Sequence, residues 1–409
     1  MNLEAVLTIL AVLMLIKGLV GVFDGVRYLD YVRRHLAVRP EPWLPKVSVI
    51  LPCKGLDFEL EKNVEAVFRQ VYPFFEVVLV TATEIDPALQ PLKWLAAKFP
   101  GHRIRFITAG ISPDRGEKVH NLIQALAHVD SASEVFVFTD SDSRPHLSWL
   151  QELVAPLRDK RLGVSTGYRW YYPTHGNLAS VVRSVWNGSI ATLLGNHNHN
   201  FAWGGSMAIR RDVFFDIGVP EYWRGAVSDD YMLSSAVRDA GLHIVFAPGA
   251  MVASTDHINM RSFLSWARRQ MVITRVYHPG LWWPAVAAHI VYCGGMAAAI
   301  AASVMGNRLA EWTLIAQLSP GMLKGANRAT LAKAELPEYK TWFDRHGWVH
   351  TWFVPLATWV WLIALAGSAF TDAIEWRGRR YVLKPLPDGR GSLTDPTAAS
   401  VRPPTEPRP

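Results

Sequence analysis

Cysteine is nearly absent: Cys53 and Cys293 are the two in 409 residues, which excludes a disulfide framework and accords with a reducing compartment. No G-x-G-x-x-G follows the first strand-like run and no G-x-x-x-x-G-K-[ST] occurs, which speaks against a dinucleotide enzyme and a P-loop ATPase. Cys and His lack the paired spacing of a zinc site. His197-Asn198-His199-Asn200 has no further ligand types beside it and reads as a solvated or acceptor-lining loop. No internal repeat marks a solenoid. Charge is missing locally as well, since residues 281–305 carry no Asp, Glu, Lys or Arg and residues 5–23 carry only Lys17. The chemistry must therefore rest on carboxylates, lysines and arginines.

Those uncharged stretches are long enough to cross a bilayer, and residues 348–370 make a third. Trp282 and Trp283 stand at one boundary and Trp342, Trp348 and Trp352 at another, where an amphipathic ring is half wet. The first stretch has no basic region before it and no small-residue cleavage site after it, so it reads as an anchor and not as a signal peptide. Arg27, Arg33, Arg34 and Arg39 follow it, and the positive-inside bias assigns residues 24–280 to the cytoplasm. The expected plan is an N-terminal transmembrane anchor over 1–26, a cytoplasmic catalytic domain over 40–280, a C-terminal membrane region of two or three spans over 281–371, and a disordered tail over 385–409. Residues 309–323 are short, contain Glu311 and are interrupted by Ser319-Pro320-Gly321, so crossing, re-entry and a surface position all stay open. The net charge of +7 is accounted for by juxtamembrane Lys and Arg facing anionic lipid, and no nucleic acid is called for.

Between the first two spans, short apolar runs alternate with helix-period segments, which predicts an α/β domain with a parallel sheet under crossover helices. Strands are predicted over 47–51, 76–80, 104–108 and 135–139, with helices starting near Leu60 and covering 89–99 and 117–128. Ligands of such sheets bind beyond the carboxyl ends of the strands, where Lys54, Asp57, Asp86, Asp140 and Asp142 fall. Val135-Phe136-Val137-Phe138-Thr139-Asp140-Ser141-Asp142 is the most informative segment. A buried-looking strand that delivers two carboxylates can hold Mg2+ or Mn2+ between carboxylate and phosphate oxygens. An isolated Asp-Ser-Asp is otherwise a turn that caps a helix near Pro145, and the apolar strand ahead favours the site. Ser228-Asp229-Asp230 opens a helix-like segment in which capping explains one acid but not both. Lys118, just ahead of an amphipathic helix, is placed either for a diphosphate or for solvent; Lys54 and Arg115 are of the same kind.

In their order, these segments resemble the inverting nucleotide-sugar glycosyltransferases of the family 2 type, and within them the ceramide-glucosyltransferase-like branch. The resemblance covers residues 47–279 and rests on Val47-Ser48-Val49-Ile50-Leu51-Pro52, Gln70-Val71-Tyr72-Pro73, Asp86-Pro87-Ala88, Lys118-Val119-His120-Asn121, Asp140-Ser141-Asp142, Trp203-Gly204-Gly205 and Ser228-Asp229-Asp230-Tyr231. Trp266-Ala267-Arg268-Arg269-Gln270 falls where the family has glutamine or arginine, two variable residues, arginine and tryptophan; Arg269 keeps the arginine's place, though Arg268 and Arg269 also suit an interfacial helix.

The resemblance implies a GT-A type, Rossmann-like nucleotide-sugar domain. It implies Asp142 as the main metal ligand, with Asp140 sharing the ion or near the ribose, and Asp57 and Asp86 on the base or ribose. Lys54 and Lys118 would meet the diphosphate, Asp230 with Asp229 beside it would supply the general base, and Arg269 would clamp the leaving group. The function so implied is a hexosyltransferase that uses a divalent cation to move glucose from a UDP-sugar to a membrane lipid hydroxyl such as that of ceramide. A processive polysaccharide synthase, which needs more spans, and a catalytically silent membrane scaffold stay open as alternatives.

Overall fold

The computed structural model describes residues 3–38, 43–174, 176–385 and 391–393. The first element, α1 (Leu3–Ala37), is one helix of 35 residues that exposes Ile9, Leu13, Ile16, Val20 and Phe23. Strands β1 (Val47–Pro52), β2 (Phe75–Thr81), β3 (Arg103–Thr108) and β4 (Val135–Thr139) then alternate with helices α2 (Leu60–Phe68), α3 (Leu89–Ala96) and α4 (Glu117–Leu126). Strand β4 is buried at every position and β1 at all but its last, which is the environment a near-continuous apolar run demands of a central parallel strand.

Beyond β4 come α5 (Trp149–Val154), β5 (Leu162–Thr166), β6 (Arg169–Tyr171), α6 (Leu178–Ala191) and β7 (Ser206–Arg210). Two short helices, α7 (Arg211–Asp216) and α8 (Val219–Tyr222), lead to α9 (Asp229–Asp239), β8 (His243–Phe246) and β9 (Val252–Ser254). Seven strands form one sheet in the order β3-β2-β1-β4-β7-β5-β8, while β6 and β9 pair separately. The expected mostly parallel α/β sheet is present, and β7 is its departure, antiparallel to both β4 and β5. That reversal positions the site. Because Thr139 at the end of β4 lies opposite Ser206 at the start of β7, the loop Trp203-Gly204-Gly205 stands beside Asp140.

Helix α10 (Met260–Tyr277) leads to α11 (Pro279–Val304), the one described helix long and apolar enough to cross a membrane by length and composition. Next is α12 (Arg308–Glu335), then α13 (Lys340–His346), α14 (Val349–Trp352) and the apolar but 16-residue α15 (Val354–Ala369). The interruption expected at Ser319-Pro320-Gly321 is absent: α12 runs through it. A Cβ on Gly18 of α1 would stand 2.4 Å from the Pro320 Cβ, so glycine lets the two helices approach closely, and a packed neighbour can support a proline inside a helix.

Three antiparallel strands are the last described elements, β10 (Ala373–Trp376), β11 (Arg379–Pro385) and β12 (Gly391–Leu393). Of the tail expected to be disordered, Pro385 and Gly391–Leu393 are therefore paired strand; residues 386–390 and 394–409 lie outside the described residues. Ile374, Tyr381 and Leu383 enter the same apolar cluster as Ile50, Val119 and Phe138, so the β10–β11 hairpin packs on the sheet domain.

Candidate active site

The carboxyl ends of β1 and β4, the starts of α4 and α9, the loop before β7 and the tip of the β10–β11 hairpin surround a cavity of about 380 Å³. Lys118, in the first turn of α4, reaches across it. Its Nζ is 2.8 Å from Asp140 Oδ1 and 3.0 Å from Asp229 Oδ2, joining the acid that leaves β4 to the acid that opens α9. Burial pulls the Lys118 pKa down, but Asp140 and Asp229 outweigh it and the net direction is up, so the ammonium stays charged. Asp229 is pushed up to about 6 by burial, against the pull of Lys118. Gly204 closes this cluster, because a Cβ there would fall 2.5 Å from Asp229 Oδ2 and 2.6 Å from Lys118 Nζ.

Asp230 lines the same cavity. Its carboxylate accepts from the backbone N–H of Tyr231 at 2.8 Å and of Gly204 at 3.3 Å, and from the Ser228 hydroxyl. Ser228 makes no side-chain cap to α9, so the capping explanation of this segment does not hold for it. Nor does Asp142 cap a helix near Pro145, since α5 begins only after Ser148. Instead Arg169 of β6 brings Nη1 to 3.0 Å from Asp142 Oδ2 and Nη2 to 3.6 Å from Asp140 Oδ2, with its guanidinium 4.5 Å from the Trp203 ring. Two acids that sit close together in partial burial repel each other unless cations neutralise them, and Arg169 and Lys118 do so from either side.

Asp57, after β1, accepts from the Ser141 hydroxyl at 2.5 Å and pairs with Arg377 of the hairpin. Lys54 Nζ pairs with Glu117 Oε1 at 2.7 Å, and Glu117 Oε2 takes Arg379 Nε at 3.0 Å. Arg269 of α10 lies 5.1 Å from the Trp376 ring; burial lowers its pKa to about 10, which leaves it cationic at neutral pH.

The model for Glycosyl transferase family 21 matches residues 7–387. The chain belongs to glycosyl transferase family 21. Ceramide glucosyltransferase 1 of Caenorhabditis elegans is 32% identical over 112 residues, 25% of this chain and 24% of that protein. Ceramide glucosyltransferase 3 of the same organism is 22% identical over 247 residues, 57% of this chain and 51% of that protein. The chain thus spans about half the length of these relatives or less. Among solved structures, a mannosyltransferase from Pyrobaculum calidifontis in complex with GDP-Man and Mn2+ is 16% identical, with TM-score 0.45 over 88% of this chain and 97% of that one.

Within this family 21 chain, most of the residues read from the sequence meet in the cavity: Lys54, Asp57, Lys118, Asp140, Asp142, Asp229, Asp230 and Arg269. Asp86 stands apart. Its Oδ1 accepts from the backbone N–H of Gly55 and of Ala88, both at 2.9 Å, so it braces the loop after β1. Arg115 makes a two-point pair with its neighbour Asp114 at 2.7 and 2.9 Å. His197 and His199 are exposed on a loop away from the cavity. Sequence reasoning missed Arg169, Glu117 and Arg377. Arg169 carried a signal, since a cation inside the run Tyr168-Arg169-Trp170-Tyr171-Tyr172 needs an anionic partner once that run is buried.

The side chains present suit a divalent cation in an open site. Asp142 Oδ1 is buried with no hydrogen-bond partner among the described residues, while Oδ2 takes Arg169. No three His, Cys, Asp or Glu side chains converge as a closed cage among those residues. One or two carboxylates, with substrate phosphate and water completing the shell, are what Mg2+ and Mn2+ ordinarily accept.

Proposed function

We propose that this chain is a membrane-attached, inverting hexosyltransferase that moves a hexose from a nucleoside diphosphate sugar, with glucose on UDP as the leading donor, to the hydroxyl of a membrane lipid of the ceramide kind. The observation that carries the reading is the single Lys118 ammonium joining Asp140 and Asp229 across one cavity. Carboxylates suited to a metal and to a general base are thereby within the reach of one donor molecule.

Asp142, with Asp140, would hold a divalent cation, and such an ion when bound neutralises charge on the diphosphate that leaves. Arg269 would present a planar fork of donors to the same diphosphate. Asp230, oriented by Ser228 and by the N–H groups of Tyr231 and Gly204, would accept the proton of the acceptor hydroxyl. As that oxygen bonds to the anomeric carbon, the bond from carbon to phosphate oxygen breaks on the opposite face, and the anomeric centre inverts. Trp203 lines the same cavity and would meet the sugar through its ring.

A lipid acceptor is supported by what borders the cavity. Trp266 and Arg269 of α10 also line a second cavity of about 280 Å³ with Arg261, Ser262, Ser265 and Glu375, on the helix that leads into α11. For the membrane region we favour two crossings after the sheet domain. Gly18 faces Pro320, Gly21 faces Lys324 and Gly25 faces Asn327, so α12 runs parallel to α1 and returns in the direction in which α1 enters. Helix α15 then lies against α10 and α6 before the chain rejoins the sheet domain. The test is to incubate the detergent-purified protein with Mn2+, a panel of radiolabelled nucleotide sugars and extracted lipids, and to identify the product. A labelled glycolipid with inverted anomeric configuration supports the reading; sugar released only to water or built into a long polymer refutes it.

A further inference from the structure

The β10–β11 hairpin turns on two residues. Trp376 is paired with Arg379, leaving Arg377 and Gly378 as the loop, with φ of 49° and 77°. Such a two-residue turn with both central residues in the left-handed region favours Asn-Gly, Asp-Gly or Gly-Gly. Arginine there carries a backbone cost of order 1 kcal/mol, which persists only when something else holds the residue in place. What holds it is the cavity. Arg377 pairs with Asp57, its Nη1 donates to the Lys54 carbonyl at 3.4 Å, and its side chain keeps 41% of its surface exposed along the cavity wall. The hairpin beneath is fastened to site residues at three further points: Trp376 against Arg269 at 5.1 Å, Arg379 on Glu117 at 3.0 Å, and the Tyr381 hydroxyl accepting the Glu117 N–H at 3.3 Å.

We propose that Arg377 is a donor-binding residue, carried into the nucleotide site by the C-terminal hairpin, and that it contacts the diphosphate of the donor. The inference rests on the nucleoside diphosphate reading given above. Of the other cations of the cavity, Arg269 rests on the Trp376 ring and is the fork already assigned to the diphosphate, and the remaining four are committed to acids. Lys118 joins Asp140 and Asp229, Arg169 spans Asp140 and Asp142, Lys54 is on Glu117, and Arg183 is on Asp256. Arg377 has one acid, Asp57, and that acid has a second partner in the Ser141 hydroxyl. A diphosphate entering beside Asp57 can therefore take the guanidinium without leaving the carboxylate unpartnered. A planar fork of charge-assisted donors suits that exchange, because it pairs with phosphate as well as with carboxylate.

The discriminating variant is Arg377→Asn, since Asn-Gly is a preferred pair for this turn and removes the guanidinium without disturbing the hairpin. Full-length wild type and variant in detergent with Mn2+ are titrated calorimetrically with UDP, GDP and the free nucleosides. Expected is a loss of about tenfold or more in affinity for whichever diphosphate the wild type binds, unchanged affinity for the matching nucleoside, and an unfolding temperature no lower than that of the wild type. Equal diphosphate affinity in the two proteins overturns the assignment. So does a loss shared by nucleoside and diphosphate with a lowered unfolding temperature, which is the mark of a structural hairpin. A wild type that binds no nucleoside diphosphate refutes the donor reading itself, and this inference with it.

Discussion

Asp140 and Asp229, 89 residues apart in sequence, are held to one ammonium: Lys118 Nζ lies 2.8 Å from the first and 3.0 Å from the second. Side-chain exposures are 15% for Lys118, 22% for Asp140 and 3% for Asp229, so removing the cation strands negative charge in a low-dielectric site. Lys118→Met is expected to destabilise the protein by about 3 kcal/mol or more, and the double variant with Asp229→Asn to recover part of that loss. Denaturant unfolding of the two single variants and the double variant reads the coupling; strictly additive losses would dissolve the link.

Asp230→Asn keeps the size of the side chain and most of its hydrogen bonds but cannot accept a proton. Transfer is expected to fall at least about 100-fold while donor binding in the presence of Mn2+ is retained. Single-turnover transfer with calorimetric donor binding separates the two, and near-normal turnover would assign the base elsewhere.

Asp142 has one buried oxygen without a hydrogen-bond partner among the described residues, which is where a cation would be taken up. Asp142→Ala is expected to abolish the gain in donor affinity that Mn2+ produces, leaving metal-free binding nearly unchanged. Calorimetry with and without Mn2+ checks this, and an equal Mn2+ effect in both proteins would move the ion to other ligands.

Asp229 titrates in an accessible range, since burial raises its pKa from the ordinary carboxylate value to about 6. A raised folded-state pKa means that the folded protein binds the proton more tightly than the unfolded chain. The stability from this group is full below about pH 4 and is lost as pH rises through 6, a change of about 3 kcal/mol. Between pH 4 and pH 7 the wild type should thus lose about that much more unfolding free energy than Asp229→Asn; parallel curves for the two would contradict the assignment.

The strand at 135–139 was legible to the residue, because an unbroken apolar run between polar ends has few alternatives to a buried strand, and its direction alone dictates that Asp140 and Asp142 emerge at a carboxyl end. Asp229 and Asp230 were legible as a pair too rich in charge for one helix cap. Ser319-Pro320-Gly321 misled, since proline and glycine signal a break locally while their cost here is set by α1, far away in sequence. Arg377 was not legible, because no local pattern links it to Asp57, 320 residues earlier.

Periodicity and the placement of charge along the chain therefore decided the elements, the apolar segments and the acids available for chemistry, because these follow from how each stretch must bury its own apolar face. Which cation meets which acid was decided only by tertiary structure. The antiparallel return of β7, the packing of α1 on α12 and the docking of the last hairpin are contacts between distant segments, and the energy that selects them comes from mutual burial and from neutralising buried charge, neither of which any single stretch of sequence contains.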